Sequence, residues 1–206
     1  VGLDGVERRE RISEVITEIE RRGLRSVRLA FADVHGVLRG KAIRPDLVAD
    51  AFLDGIGITS ALLMKDTGQN NVYPVWAPGG GLDKPWLTGA GDMMMLPDPS
   101  SFRVLPWAES GWLLCDLFSP GGEPIGFSTR QLCAAVEADL ARTGVGFKAG
   151  LEIEFHLYHA DQGGSSPLTA IHPGWMYLGE NRFDSIEPLL EIIRHHLADL
   201  GLPPRS

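Results

Sequence analysis

Apolar side chains recur along this chain at two different spacings. Ile12, Val15, Ile16 and Ile19 fall three and four residues apart with charges between them, which predicts an amphipathic helix. Gly23 is a good stop for it, since glycine suits the position beyond a helix C-terminus. The period then drops to two. Val27, Leu29 and Phe31 alternate with Arg28 and Ala30, the pattern of a half-buried strand. Asp33-Val34-His35-Gly36 reads as a turn and residues 37–43 as the return strand of a hairpin. Pro45 can open a short helix over 46–53, closed near Gly55.

From Gly55 to Gly91 the periodicity fades under repeated Gly and Pro. A stretch this long is either a functional loop with short strands or a mobile segment. Trp76, Trp86, Tyr73 and Met64 give it something to pack. Short strands are predicted at 92–96, 102–106 and 112–117. Pro120-Gly121-Gly122 is the best linker candidate. Beyond it, Ser128 can cap a helix built on Leu132, Ala135, Val136 and Leu140 and ended by Gly144. Residues 147–158 read as a strand and 159–184 as loop. Asp184 and Glu187 have capping-box-like spacing ahead of a helix carrying Ile186, Leu189, Leu190, Ile193, Leu197 and Leu200. The sum is an α+β plan: a small sheet domain with helices, then the strand–helix opening of a second unit.

Composition narrows the function. The net charge of −8 argues against a general nucleic-acid binder. No apolar run approaches the roughly 20 residues of a membrane-spanning helix, and a charged run at residues 7–11 stands where a signal peptide would be apolar. Cys115 and Cys133 make neither a metal finger nor a disulfide framework, so a reducing cytoplasm is expected and both cysteines read as buried filler. Gly79-Gly80-Gly81 lacks the Lys-Ser/Thr of a phosphate loop.

The most informative stretch is Gly150-Leu151-Glu152-Ile153-Glu154-Phe155-His156-Leu157-Tyr158. On a strand, Glu152 and Glu154 share one face, their Cα atoms about 6–7 Å apart. Two readings stay open for this acidic pair. It is the solvated outer face of an edge strand, or it holds a hard divalent cation such as Mg²⁺ or Mn²⁺. Arg39 and Lys41 likewise share a strand face, where they could meet a phosphate or carboxylate or simply blunt a hairpin edge.

Taken in order, these motifs resemble the glutamine synthetase family. Residues 31–41 (Phe-Ala-Asp-Val-His-Gly-Val-Leu-Arg-Gly-Lys) resemble the family's opening hairpin. Residues 92–107 are similar to its D-M-x-x-x-P-D-P-S-T…P-W stretch. Cys115-Asp116-Leu117, a Gly-containing turn and Arg130 follow, and Gly150 to Phe155 resemble the G-x-E-x-E-F metal-binding strand. The resemblance covers essentially the whole chain and looks closest to the γ-glutamyl-amine ligase branch.

The resemblance implies a β-grasp domain over 1–118. Residues 119–206 would then be the N-terminal part of a catalytic domain with an antiparallel sheet. It implies a cytoplasmic homo-oligomer with active sites between subunits. That enzyme joins glutamate to ammonia or an amine with ATP, through γ-glutamyl phosphate. Glu152 and Glu154 match the two strand carboxylates, one for each of two Mg²⁺ or Mn²⁺ ions. Asp66 matches a loop Asp that reaches an adjacent subunit's site and helps bind and deprotonate ammonium. Tyr177 matches a Tyr near the ammonium and glutamate pocket. The family's D-G-S-S form is absent from the Met64-Lys65-Asp66-Thr67-Gly68 loop, which leaves the nucleophile open between ammonia and an amine. The family's second Glu pair and its N-G-S-G-M-H-x-H segment are also absent. The chain is therefore expected to be an inactive fragment of the full enzyme. A γ-glutamylpolyamine or γ-glutamylamine synthetase and a non-catalytic binding or structural relative are the alternatives.

Overall fold

A computed structural model describes residues 5–78, 81–159, 168–171, 179–202 and 204–205. The apolar stripe forms helix α1 (Gly5–Arg22), with Val15 and Ile19 buried beneath it. Gly23 ends the helix at φ +61°, and the Leu24 N–H turns back to the Ile19 carbonyl. That left-handed step is one that a residue without Cβ takes most readily. The alternating segment is β1 (Ser26–Ala32), paired antiparallel with β2 (Leu38–Ile43). A 3₁₀ turn at Pro45–Leu47 leads into α2 (Val48–Asp54) and then β3 (Ile56–Thr59). The sheet is completed by β4 (Asp92–Pro97), the short β5 (Arg103–Val104) and β6 (Ser110–Phe118).

Strand order is β2-β1-β6-β4-β3, with β5 added beside β6. Only β1 and β6 run parallel, Leu29 facing Leu113; every other pair is antiparallel. One face of the sheet carries Leu29, Phe31, Met93, Met95, Leu113 and Leu117, which form the core with Val15 and Ile19 of α1 and Val48 and Phe52 of α2. Lys41 on edge strand β2 donates to the Gly57 carbonyl of the opposite edge strand β3 (2.6 Å). The sheet is therefore curled enough for its two margins to meet. Gly40 is required in β2, because a Cβ there would lie 1.9 Å from the Leu29 carbonyl oxygen.

The Gly-rich stretch between β3 and β4 is not a bare loop. Tyr73, Val75 and Leu87 form a second small core with Met64 and Trp86, and Trp86 stacks on Phe127 at 6.4 Å. Helix α3 (Thr129–Arg142) starts at Ser128, as its spacing predicts, but the hydroxyl makes no capping bond. Arg130 and Gln131 tie this helix to the sheet. Arg130 pairs with Asp116 (3.0 Å) and Asp98, and Gln131 accepts from the Leu117 N–H (2.9 Å).

Residues 147–206 form a separate compact unit from 1–146. Its main element is α4 (Phe183–Asp199), preceded by a 3₁₀ turn at Glu180–Arg182. Asp184 is not the cap that its spacing suggests. It lies inside the first turn, where its charge complements the helix dipole.

The strand expected at 147–158 is largely unmade. Only β7 (Tyr158–His159) pairs, with β8 (Thr169–Ala170). Side-chain alternation creates a strand only where another strand accepts its backbone hydrogen bonds. The Leu157 carbonyl accepts from the Ile171 N–H (3.0 Å), but among the described residues no strand pairs with 147–156, and Leu151 and Ile153 stand 90% and 76% exposed. Likewise, the strand expected at 102–106 shortens to β5 beside the 3₁₀ turn at Pro99–Ser101. No helix among the described residues is long and apolar enough to cross a membrane.

Candidate functional site

The densest polar geometry lies where the β1–β2 turn meets the 63–71 loop. Asp33 closes the turn. It is fully buried, and its carboxylate accepts from the backbone N–H groups of His35 (2.9 Å) and Val37 (3.0 Å). Its second oxygen takes both Nε (3.0 Å) and Nη2 (2.9 Å) of Arg39. Burial pushes the Asp33 carboxyl up, but Arg39 and the two N–H donors outweigh it and hold it below the usual carboxylate value.

The turn grips the loop at three points. The Val34 N–H donates to the Leu63 carbonyl (3.2 Å). His35 Nε2 lies 2.7 Å from the Lys65 carbonyl oxygen. A carbonyl only accepts, so Nε2 carries the proton. Arg39 Nη2 also donates to the Gln69 side-chain oxygen. Arg39 is thus committed to Asp33 and Gln69, and Lys41 to Gly57. Neither is the open anion contact that their shared strand face suggested.

Asp66 lies in this loop, half-buried. Its carboxylate accepts from the Asn70 backbone N–H (2.8 Å) and the Asn70 side-chain amide (3.3 and 3.2 Å). Those donors, the backbone one first, hold its carboxyl below the usual value, so it is ionised at neutral pH. Gln69 stands beside it at φ +68°, in the left-handed region. Asp33, His35 and Gln69 are site residues that sequence reasoning missed. The signal was present as an Asp opening a turn with an Arg six residues later.

Glu152 and Glu154 belong to the second unit, on its exposed opening segment. Carboxylate oxygens are the ligand type that Mg²⁺ and Mn²⁺ take, and the expected site would need further ligands beside this pair. Among the described residues no three or more His, Cys, Asp or Glu side chains cluster to hold a metal. Tyr177 lies outside the described residues.

No protein-family model matches the chain. It is 32% identical to a gamma-glutamylanilide synthase of Acinetobacter over 216 residues, which cover 96% of this chain and 43% of that protein. The chain belongs to the glutamine synthetase family. A gamma-glutamylethanolamide synthetase of Streptomyces coelicolor is 31% identical over 88% of the chain. A glutamine synthetase of Mycobacterium tuberculosis is 29% identical over 78%. The chain spans less than half the length of these curated members, 43%, 39% and 33% in turn. The solved GmaS/ADP complex superposes on 93% of the chain with a TM-score of 0.61 and 22% identity, covering 40% of that structure. It shares the glutamine synthetase-type fold.

Proposed function

We propose that this protein is part of an ATP-dependent ligase that joins an amine to the γ-carboxylate of glutamate. The observation that carries this reading is the likeness to gamma-glutamylanilide synthase along 96% of the chain. Residues 1–118 serve as the β-grasp domain, and 119–206 open the catalytic domain. A glutamate γ-carboxylate oxygen attacks the γ-phosphorus of ATP, giving γ-glutamyl phosphate and ADP. The amine nitrogen then attacks the acyl carbon, and inorganic phosphate leaves. The ammonium form of the nucleophile must first lose a proton. Asp66 is the acceptor, supported by a carboxylate held ionised by Asn70. Tyr177 orients the amine and glutamate.

Glu152 and Glu154 hold Mg²⁺ or Mn²⁺. Such an ion, when bound, neutralises charge on the transferring phosphoryl group. The exposed segment that carries the two carboxylates requires further ligands around it, so the 206 residues alone bind Mn²⁺ weakly and do not turn over. The working enzyme is a cytoplasmic homo-oligomer, with Asp66 reaching a neighbour's site.

The test expresses the protein from its complete reading frame with glutamate, ATP and one amine at a time. Ammonia, aniline, ethanolamine, isopropylamine and putrescine form the panel. Phosphate release that needs both glutamate and one of these nucleophiles is expected, and Glu152→Gln or Glu154→Gln should abolish it. Turnover without glutamate, or none with any nucleophile, overturns the reading.

A further inference from the structure

The contacts of the β1–β2 turn fall on both sides of Asp66 in sequence. Leu63 and Lys65 are gripped before it and Gln69 after it. Leu63 is completely buried, so the near side of the loop is fixed to the core. The far side is held by the loop's own bonds, with the Asp66 N–H donating to the Asn70 carbonyl (3.0 Å) and Lys65 bridged to Asn71. It consists of exposed residues, and there Gln69 is forced into a left-handed conformation that side chains avoid. A non-glycine residue stays at such a φ where its surroundings hold it. Arg39 adds a side-chain hold to those backbone bonds. One Nη2 hydrogen goes to Asp33 and the other to the Gln69 oxygen, while Nε makes a second bond to Asp33. Because Asp33 is buried and is itself bonded by two backbone N–H groups, the guanidinium is locked before it meets Gln69. The Gln69 N–H in turn donates to the Asp66 carbonyl (3.0 Å).

We propose that Arg39, backed by Asp33, is a positioning residue: it keeps Gln69 in its left-handed step and so fixes the Asp66 carboxylate where the incoming amine meets it. The proposal rests on the reading of Asp66 as the amine-facing group. It gives the hairpin turn a share in amine affinity without any contact with the amine. Lysine at position 39 would keep the charge beside Asp33 but lose the planar fork that serves two acceptors.

The test uses the protein from its complete reading frame and replaces Gln69, which leaves the Asp33–Arg39 pair in place. Gln69→Ala should speed amide exchange over residues 65–70. It should raise the KM for the amine about tenfold, the worth of one charge-assisted hydrogen bond. The KM values for glutamate and ATP and the unfolding midpoint should not move. Gln69→Glu, which restores an acceptor for Arg39, should return the loop exchange to its original rate. Unchanged exchange in Gln69→Ala overturns the proposal. So does a rise in all three KM values together, which is what general loosening would give. Asp66→Asn separates the two ideas. If it leaves amine KM and kcat unchanged, the Asp66 reading fails, and the kinetic half of the proposal falls with it.

Discussion

Replacing Asp33 by alanine should be among the most damaging single changes in the sheet unit. The side chain is fully buried, and Arg39 opposite it is only 19% exposed. Alanine leaves that guanidinium without its carboxylate and the His35 and Val37 N–H groups without an acceptor. Breaking a buried pair from one side costs about 3–5 kcal/mol. For a protein of this size each kcal/mol lowers the melting midpoint by roughly 2–4 °C, so a fall of roughly 6–20 °C is expected. Asp33→Asn keeps the shape and one acceptor oxygen but loses the charge, and it should cost less. Its cost should also depend on pH. Folding lowers the Asp33 pKa, so the stability it contributes is fully present above the unfolded value of about 3.9 and is lost as pH falls through the lower folded value. Urea unfolding of the wild type and Asp33→Asn at pH 7, 5 and 3 measures this directly. The gap between them should be widest at pH 7 and close toward pH 3. A gap of the same size at pH 3, or an alanine variant losing less than about 1 kcal/mol, the worth of a surface ion pair, would refute the argument.

Other consequences are simpler to check. Leu113→Ala at the centre of β6 should cost about 2–5 kcal/mol in the same unfolding assay, while Ile153→Ala, at an exposed position, should stay within about 0.5 kcal/mol; equal costs would contradict the placement of the core. Burial pushes the Cys115 thiol up to about 12, whereas Cys133 is exposed and not the buried filler its apolar neighbours suggest, so a maleimide at pH 8 should label Cys133 and reach Cys115 only after denaturation. Mass analysis showing native labelling of Cys115 would contradict its burial. Gly40→Ala should destabilise by about 1–3 kcal/mol, because its Cβ would collide with the Leu29 carbonyl and force the β1–β2 ladder apart. A thermal midpoint equal to wild type would count against that register.

The elements built from local periodicity were readable from the residues alone. Ile12, Val15, Ile16 and Ile19 marked α1, and Val27, Leu29 and Phe31 marked the buried face of β1. The glutamine synthetase resemblance rested on other stretches, chiefly residues 31–41, 92–107 and 150–155. What escaped was everything that depends on distant partners. The parallel pairing of Leu29 with Leu113 joins positions far apart in the chain, and no spacing within either strand announces it. Residues 147–156 failed for the converse reason, since their alternation is clear but no described strand pairs with them. The candidate site divides in the same way. Asp66 enters the candidate site only through its resemblance to the family's loop Asp, whereas Asp33 looked like an ordinary turn residue because its partner Arg39 lies across the turn and Arg39's further partner, Gln69, belongs to another loop.

The position of β6 also dictates a timetable. As the chain leaves the ribosome, α1 and the β1–β2 hairpin can form from neighbouring residues, and β3 can wait beside α2. None of this makes a sheet. Strand β6 is the one piece that joins β1 on one side to β4 on the other, and it comes last, at Ser110–Phe118. Until about eighty residues have followed β1 out of the tunnel, its free edge is open to any extended segment nearby. Premature release before Phe118 would therefore yield a sticky half-sheet and not a smaller folded domain. The closing strand acts as the keystone of biosynthesis as much as of the finished structure.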